Sequence, residues 1–196
     1  MEIPMNPAML DFPDCFETER LVIRAARPED APAVHQSIVE SWDRLRVWMP
    51  WASGDQPQSL EKTAEVMRRF ASRWTSREDL AMLVLLKDGS HIAGSGLHRI
   101  NWAVPKFEIG YWLRTGYERQ GYMTEAVAGI TNFAFVHLGA KRVEIRCDAL
   151  NERSAAIPRR LGFEQEACLR NDDRDHYSGE LRDTLIFARL TPVESR

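Results

Sequence analysis

The stretch with the clearest chemical potential is Phe107–Val127, FEIGYWLRTGYERQGYMTEAV. An apolar run rich in aromatics gives way to a short polar loop, and a helical pattern opens on Gly121: strand, turn, helix. A helix starting behind a glycine presents unpaired backbone N–H groups and the positive end of its dipole. That end suits a phosphate or pyrophosphate. The loop is not a phosphate-binding Gly-Lys-Ser/Thr turn, and Gly116 and Gly121 lack the dinucleotide spacing. Taken alone, the pattern fits an anion site and a permissive helix start equally.

The elements that must position this loop follow from periodicity. Leu21, Ile23 and Ala25 alternate with Val22 and Arg24 in a first strand, and Pro28-Glu29-Asp30 opens a helical pattern through Ala33, Val34, Ile38 and Trp42. Trp48-Met49-Pro50-Trp51 interrupts it, and Ser59 is placed to cap a second helix through Val66, Phe70 and Trp74. Strands are expected over Leu80–Leu86 and His91–Ile100, joined at Lys87-Asp88-Gly89-Ser90, with Gly94 and Gly96 marking a bulge or close backbone approach. A fourth strand covers Lys106–Leu113, a long helix about Gly121–Leu138, and a fifth strand Lys141–Cys147. A short helix over Asn151–Leu161 follows, then strands Glu164–Leu169 and Leu181–Leu190 around a polar loop. This order implies a mixed α/β sheet with helices on both faces.

Composition narrows the class. The chain has 196 residues, 44% hydrophobic and 28% charged, with net charge −3, which disfavours disorder and nonspecific nucleic-acid binding. No apolar run approaches the roughly 18 residues of a membrane span, and the N-terminus lacks signal-peptide character. The expected compartment is the cytoplasm. The three cysteines, Cys15, Cys147 and Cys168, have neither metal nor CxxC spacing.

A second segment makes the reading specific. Asn151, Ser154, an apolar residue, a basic residue and Leu161-Gly162-Phe163 together resemble the last conserved block of the GNAT superfamily of acyl-CoA N-acyltransferases. Glu118–Met123 resembles its pyrophosphate loop, Glu108–Leu113 the strand before it, and Glu19-Arg20 to Arg24 with Glu29-Asp30-Ala31 its opening. Trp48-Met49-Pro50-Trp51 is similar to the RimJ/RimL-like branch, the ribosomal-protein N-terminal acetyltransferases. The resemblance implies a tail or edge segment at 1–16 and one GNAT domain over 17–192, its sheet splayed between the fourth and fifth strands. Acetyl-CoA would lie in that gap, its pantetheine along the backbone of Trp112, Leu113 and Arg114. Its pyrophosphate would meet Arg119, Gln120, Gly121, Tyr122, Met123 and Thr124, with Asn151, Ser154 and Arg160 as further contacts. No metal is implied.

Several positions depart from the family pattern. Glu118 should turn away from phosphate, Arg119 could add a cation or sit in solvent, and Met123 could begin the helix core. Pro158 stands where many members carry a proton-donating Tyr. Ser154, one turn earlier, is the nearest replacement, or only a helix-start Ser; Pro158 also deprives the Ser154 carbonyl of its helical donor. Asn151 is a cofactor contact or a plain cap.

The implied reaction is attack of an amine on a thioester by direct transfer in a ternary complex. An amine must first lose a proton, and Glu108 is the expected base, with His98 and Asp148 behind it. A backbone N–H near Leu113 would stabilise the tetrahedral intermediate. Trp48, Trp51 and Glu108 are expected around the acceptor; Trp102, Trp112, Tyr111 and Tyr177 could line the same pocket or serve the core. Asp172, Asp173 and Asp175 would attract a cationic amine or form a solvated loop. The acceptor is a protein N-terminus or a small-molecule amine, and a homodimer fits the branch. The alternative is a degenerate module that holds acyl-CoA without chemistry.

Overall fold

A computed structural model describes residues 7–176 and 178–194. Its central feature is the relation of two neighbouring strands, β5 (Lys106–Leu113) and β6 (Arg142–Asp148). They run parallel and pair only at Lys106–Arg142, Phe107–Val143 and Glu108–Glu144. Beyond Glu108 they part, so the sheet is splayed where expected.

The other strands are β1 (Cys15–Glu17), β2 (Leu21–Ala25), β3 (Leu80–Leu86), β4 (His91–Asn101), β7 (Glu164–Arg174) and β8 (Leu181–Arg189). The sheet order is β1-β2-β3-β4-β5-β6-β8-β7. Every neighbouring pair except β5–β6 is antiparallel. Strand β1 forms the edge of the sheet, within the segment expected as a tail or an edge: Cys15–Glu17 pairs with Arg24, Ile23 and Val22, so the 16/17 boundary falls inside a strand. Residues 1–6 of that expected tail lie outside the described residues.

Helices cover both faces. Helix α1 (Ala31–Trp48) follows a single turn over Pro28–Asp30 and runs unbroken until Pro50 stops it. Its start is pinned by Asp30, whose carboxylate accepts two bonds from Arg24 (2.6 and 2.8 Å) and the Arg27 N–H (2.8 Å). Helix α2 (Leu60–Ser76) is capped by Ser59, which accepts the Lys62 N–H at 3.3 Å. Against one face of the sheet, Ala26, Ala31, Val34, Met67, Ala81 and Leu83 form a small core. The larger core lies on the other face. There α3 (Tyr122–His137) buries Met123, Ala126, Val127, Ile130, Phe133 and Ala134. Gly139, at φ 65°, ends that helix in the left-handed region. Helix α4 (Glu152–Arg160) closes the gap between β5 and β6 from this side. Among the described residues, no helix is long and apolar enough to cross a membrane.

The two strand glycines mark close approaches. A Cβ on Gly94 would stand 2.3 Å from the Trp112 indole nitrogen, so the absence of a side chain there is what lets that ring lie flat on β4. The segment Arg170–Glu180 departs from expectation. Its first half extends β7 to Arg174, because Asp173 and Arg174 regain register with Arg182 and Leu181 after an irregularity. Asn171 absorbs that irregularity at φ 54°, its N–H donated to Asp183 at 2.9 Å. Trp102 belongs to the core rather than a pocket: its ring meets Phe107 edge-on at 5.2 Å and its N–H donates to the Arg77 carbonyl at 2.9 Å.

Gly96 sits at φ 148°, and a Cβ there would lie 2.5 Å from the Leu80 carbonyl oxygen and 2.9 Å from the Ala81 Cα. Both obstacles are backbone of the paired strand. Gly96→Ala should therefore lower the unfolding free energy by about 3 kcal/mol, read as a lower urea midpoint at unchanged slope.

Candidate active site

Because β6 leaves β5 after Glu108, one edge of β5 has no partner strand. Arg114 donates its N–H to Ile92 on β4 at 2.8 Å. Alternation along an antiparallel pair then turns the backbone of Trp112 toward β4 as well, and that of Tyr111 and Leu113 into the gap. Of the three residues expected to line the gap with their backbone, only Leu113 does so. The Arg114 side chain is occupied elsewhere, with Glu40 at 2.7 Å and the His91 carbonyl at 3.1 Å.

One end of the gap meets the N-terminus of α3. Arg119 and Gly121 have φ of 62° and 82°, a spacing of left-handed residues that turns N–H groups into one concavity. Among the described residues, no protein acceptor takes the N–H groups of Gly121 to Thr124, whereas the next, Glu125 N–H, bonds the Gly121 carbonyl at 3.0 Å. Gln120 ties back to the Gly116 carbonyl at 3.1 Å. Met123 is 5% exposed and begins the α3 core. Glu118 turns away, as its charge requires, to Arg153 at 3.1 Å.

Arg20 completes this end and was not singled out from the sequence. It donates to the Gln120 carbonyl (2.9 Å) and to Glu125 (2.6 Å), and lies 4.6 Å over the Tyr122 ring. Nothing local marks it, because its partners are about a hundred residues away in the chain. Arg160 faces a second hollow of about 1260 Å³, shared with Gly121 and Thr124 behind α3.

The other end of the gap opens into a cleft of about 520 Å³. Trp48, Met49 and Pro50 supply an apolar wall, Glu108, Gly110 and Tyr111 the floor, and Asn151 with Ser154 the side. Trp51 does not line it; it is 42% exposed and packs edge-on against Trp112 at 6.1 Å. Trp112 itself packs beneath α1 with Trp42 and Leu45. Tyr177 lies outside the described residues.

Glu108 is the desolvated acid of the cleft. Its side chain is 17% exposed, with Arg99 at 3.7 Å as its ion-pair partner. Burial raises its pKa above the usual carboxylate range, and the positive charges of Arg99 and Arg146 pull only partly the other way. His98, opposite Glu108 in the β4–β5 register, is engaged with Asp79 at 2.9 Å. Asp148 caps its own turn through the Leu150 N–H at 2.7 Å. The acidic segment is largely compensated: Asp172 pairs with Arg146 at 2.7 Å and Asp175 with Arg182 at 2.8 Å. Cys147 lines the cleft, and burial pushes its thiol up to about 11, so it stays protonated at neutral pH.

Comparison with known proteins agrees with this geometry. A sequence profile described as an acetyltransferase (GNAT) domain matches residues 20–164. A Bacillus subtilis protein provisionally named ribosomal N-acetyltransferase YdaF is 31% identical over 176 residues, covering 90% of this chain and 94% of its own. The Escherichia coli ribosomal-protein-serine acetyltransferase is 27% identical over 176 residues, covering 88% and 94%. Among solved structures, RimL, a ribosomal L7/L12 α-N-protein acetyltransferase in complex with coenzyme A, superposes with TM-score 0.82 at 22% identity, covering 90% of this chain and 97% of that one.

The balance at Glu108 is open to measurement. Arg99→Gln removes the nearest positive charge and should raise the Glu108 pKa further, by an amount limited by the exposure of Arg99. A carbon-detected NMR titration of the Glu108 carboxyl reads the shift; an unchanged or lower value would contradict it.

Proposed function

The chain belongs to the GNAT acetyltransferases, and on that premise we propose that it moves the acetyl group of acetyl-CoA to a primary amine held in the 520 Å³ cleft. The observation that carries this reading is the alignment along one gap. An unpaired strand edge runs between a loop of free N–H groups and a desolvated carboxylate. A pyrophosphate suits the first end, because the N–H groups and the α3 dipole favour negative charge. Pantetheine suits the edge, where it can take the bonds a strand would have taken. Arg119, Gln120, Gly121, Tyr122 and Thr124 are the loop residues assigned to the pyrophosphate. Asn151 and Ser154 are assigned to the reacting end, and Arg160 to the outer part of the molecule.

The reaction forms an N–C bond and breaks the C–S bond of the thioester. The amine enters as a cation over most of the neutral range and must lose a proton before it attacks. Glu108 is the acceptor for that proton, directly or through one water. A raised pKa serves this role, since a carboxylate of higher proton affinity is the stronger base. The N–H of Leu113, free on the gap side, is placed to stabilise the developing oxyanion. Ser154 supplies the hydrogen bond to the departing sulfur. The protonated state of Cys147 favours direct transfer over an acyl-cysteine intermediate.

For the acceptor, the names of the relatives support an amine of a protein, and we take the α-amine of an N-terminus as the favoured case. The apolar wall at Trp48 and Pro50 offers a surface for the side chain that follows the amine. A module that binds acyl-CoA without chemistry fits less well, because it leaves the cost of the buried Glu108 carboxylate unexplained.

Glu108→Gln should cut kcat about 100-fold or more, the usual contribution of a general base, while leaving the Kd for acetyl-CoA within about twofold. The sign in pH follows from the raised pKa. The parent needs the carboxylate form, so kcat/KM falls as pH drops through a value above 4.5, and the variant loses that limb. A panel of free N-terminal peptides and small amines, assayed for coenzyme A release, tests both the role and the acceptor. Separately, Arg119→Glu with Gly121→Val should weaken acetyl-CoA binding at least about tenfold by calorimetry, by adding repulsion and forcing a β-branched residue into left-handed backbone.

A further inference from the structure

The register of the sheet sets four ionisable residues in one row. Asp79 stands just before β3, and the pairing of Leu80 with Leu97 brings it beside His98 on β4. His98 is opposite Glu108 on β5, and Glu108 is opposite Glu144 on β6. Side chains at opposed positions project from the same face, so the row crosses one face of the sheet and passes through the base. Asp79, Glu108 and Glu144 are 15%, 17% and 13% exposed, whereas His98 is 30% exposed and the most open to solvent.

The His98 ring is held in one sense. Its Nδ1 lies 3.0 and 2.9 Å from the two Asp79 carboxylate oxygens. A carboxylate only accepts, so Nδ1 carries the hydrogen, and in the neutral ring Nε2 carries the lone pair. Among the described residues, no protein group bonds Nε2. That edge of the ring lies over Gly110, the next residue after Glu108 on the same face of β5. A Cβ at Gly110 would stand 3.1 Å from the His98 Cδ2 and 3.4 Å from its Nε2. The open nitrogen is thus turned toward the strand and the face that bear Glu108.

The reaction needs such a group. An ammonium acceptor loses two protons in becoming an amide. One leaves with the sulfur as a thiol, and the other must reach solvent in every cycle. Glu108 takes that proton, but it is mostly buried even with the cleft open, and acceptor and thioester together fill the cleft.

We propose that His98 is the exit for this proton, a relay that acts through Glu108: Nε2 takes the proton from the Glu108 carboxyl through one water and releases it to solvent, while Asp79 holds the ring in the receptive tautomer. This rests on Glu108 being the base. The step balances, since a Glu108 O–H bond breaks, an Nε2–H bond forms, and a neutral pair becomes imidazolium and carboxylate. Asp79 and the restored Glu108 carboxylate flank the imidazolium and favour it, with Glu144 beyond Glu108 adding to them. Arg99 and Arg146, the cations that act on Glu108, oppose it.

The test measures coenzyme A release with the peptide or small amine turned over best in the acceptor panel. His98→Ala should lower kcat about tenfold and leave the Kd for acetyl-CoA within about twofold. Added imidazole should restore kcat, and the rescue should track its free base rather than its total concentration. His98→Gln is the folded control. Its amide N–H can keep the bond to Asp79 and hence the Tm, yet it carries no proton, so kcat should stay low. In a Glu108→Gln background, His98→Ala should cost nothing further, because no proton is there to pass. A carbon-detected NMR titration of the Glu108 carboxyl reads the coupling without turnover: the parent should show a second inflection that His98→Gln removes. Full kcat in His98→Gln, a loss in His98→Ala that imidazole does not restore, or a single inflection in the parent would each make the Asp79–His98 bond structural only and overturn the relay. An equal loss in the Glu108→Gln background would make His98 a separate base, against the proposal. Parent kcat in Glu108→Gln alone would instead remove the assignment of Glu108, and the relay with it.

Discussion

The structure depends on two parallel strands that stop pairing after three residues. A sheet interrupted in its middle leaves N–H and C=O groups that water or a partner must satisfy, at a cost of about 1–3 kcal/mol for each left buried and bare. This fold meets the demand in two ways. Near the point of parting, α4 and the Tyr111 side chain close the gap from within. Farther out, the edge at Leu113 stays open, and the sheet offers to a bound molecule what it withholds from a strand. The gap is thus a local failure of pairing that the rest of the fold keeps from healing.

Both faces of the sheet are needed to use that gap. The α3 face contributes the helix end, whose free N–H groups favour an anion, and Arg20 locks the loop there by bonding the Gln120 carbonyl and Glu125 together. The α1 face contributes the apolar wall at Trp48 and Pro50. Glu108 sits where the strands part, reached from both sides, and its desolvation follows from that place. The acidic residues of β7 and the turn after it carry less net field than their number suggests. Arg146 and Arg182 neutralise Asp172 and Asp175, and the pairs spend their charge on fixing the cleft wall. His176 adds to this by bonding the Arg46 carbonyl at the end of α1, at 3.1 Å.

Much of this was legible in the chain. The alternation and helical spacing placed nearly every element within a residue or two, and Gly121, Ser59 and Asn151 all stand at the helix starts their types imply. The motifs around Glu108, Gly121 and Ser154 were enough to name the family. Local pattern failed where a residue's role is set by a distant partner. Asp173 and Arg174 read as loop because Asp disfavours strands, yet pairing with β8 holds them extended. Trp48 and Trp51 flank the same proline and read alike in sequence, but only Trp48 lines the cleft, and Trp102, left open between pocket and core, fills the core.

The chain by itself determined the helices, the strands, the glycine-led helix end and the missing N–H at Pro158, because periodicity, capping and backbone chemistry act over a few residues. Only the tertiary structure decided which edge of β5 faces the gap, that Arg114 looks the other way, that Arg20 guards the loop, and that the Tyr111 hydroxyl takes the Ser154 carbonyl left without a helical donor by Pro158. Those facts join residues roughly 20 to 105 positions apart, and the free energy that unites them comes from burial and hydrogen bonding between elements, which no local window of sequence contains.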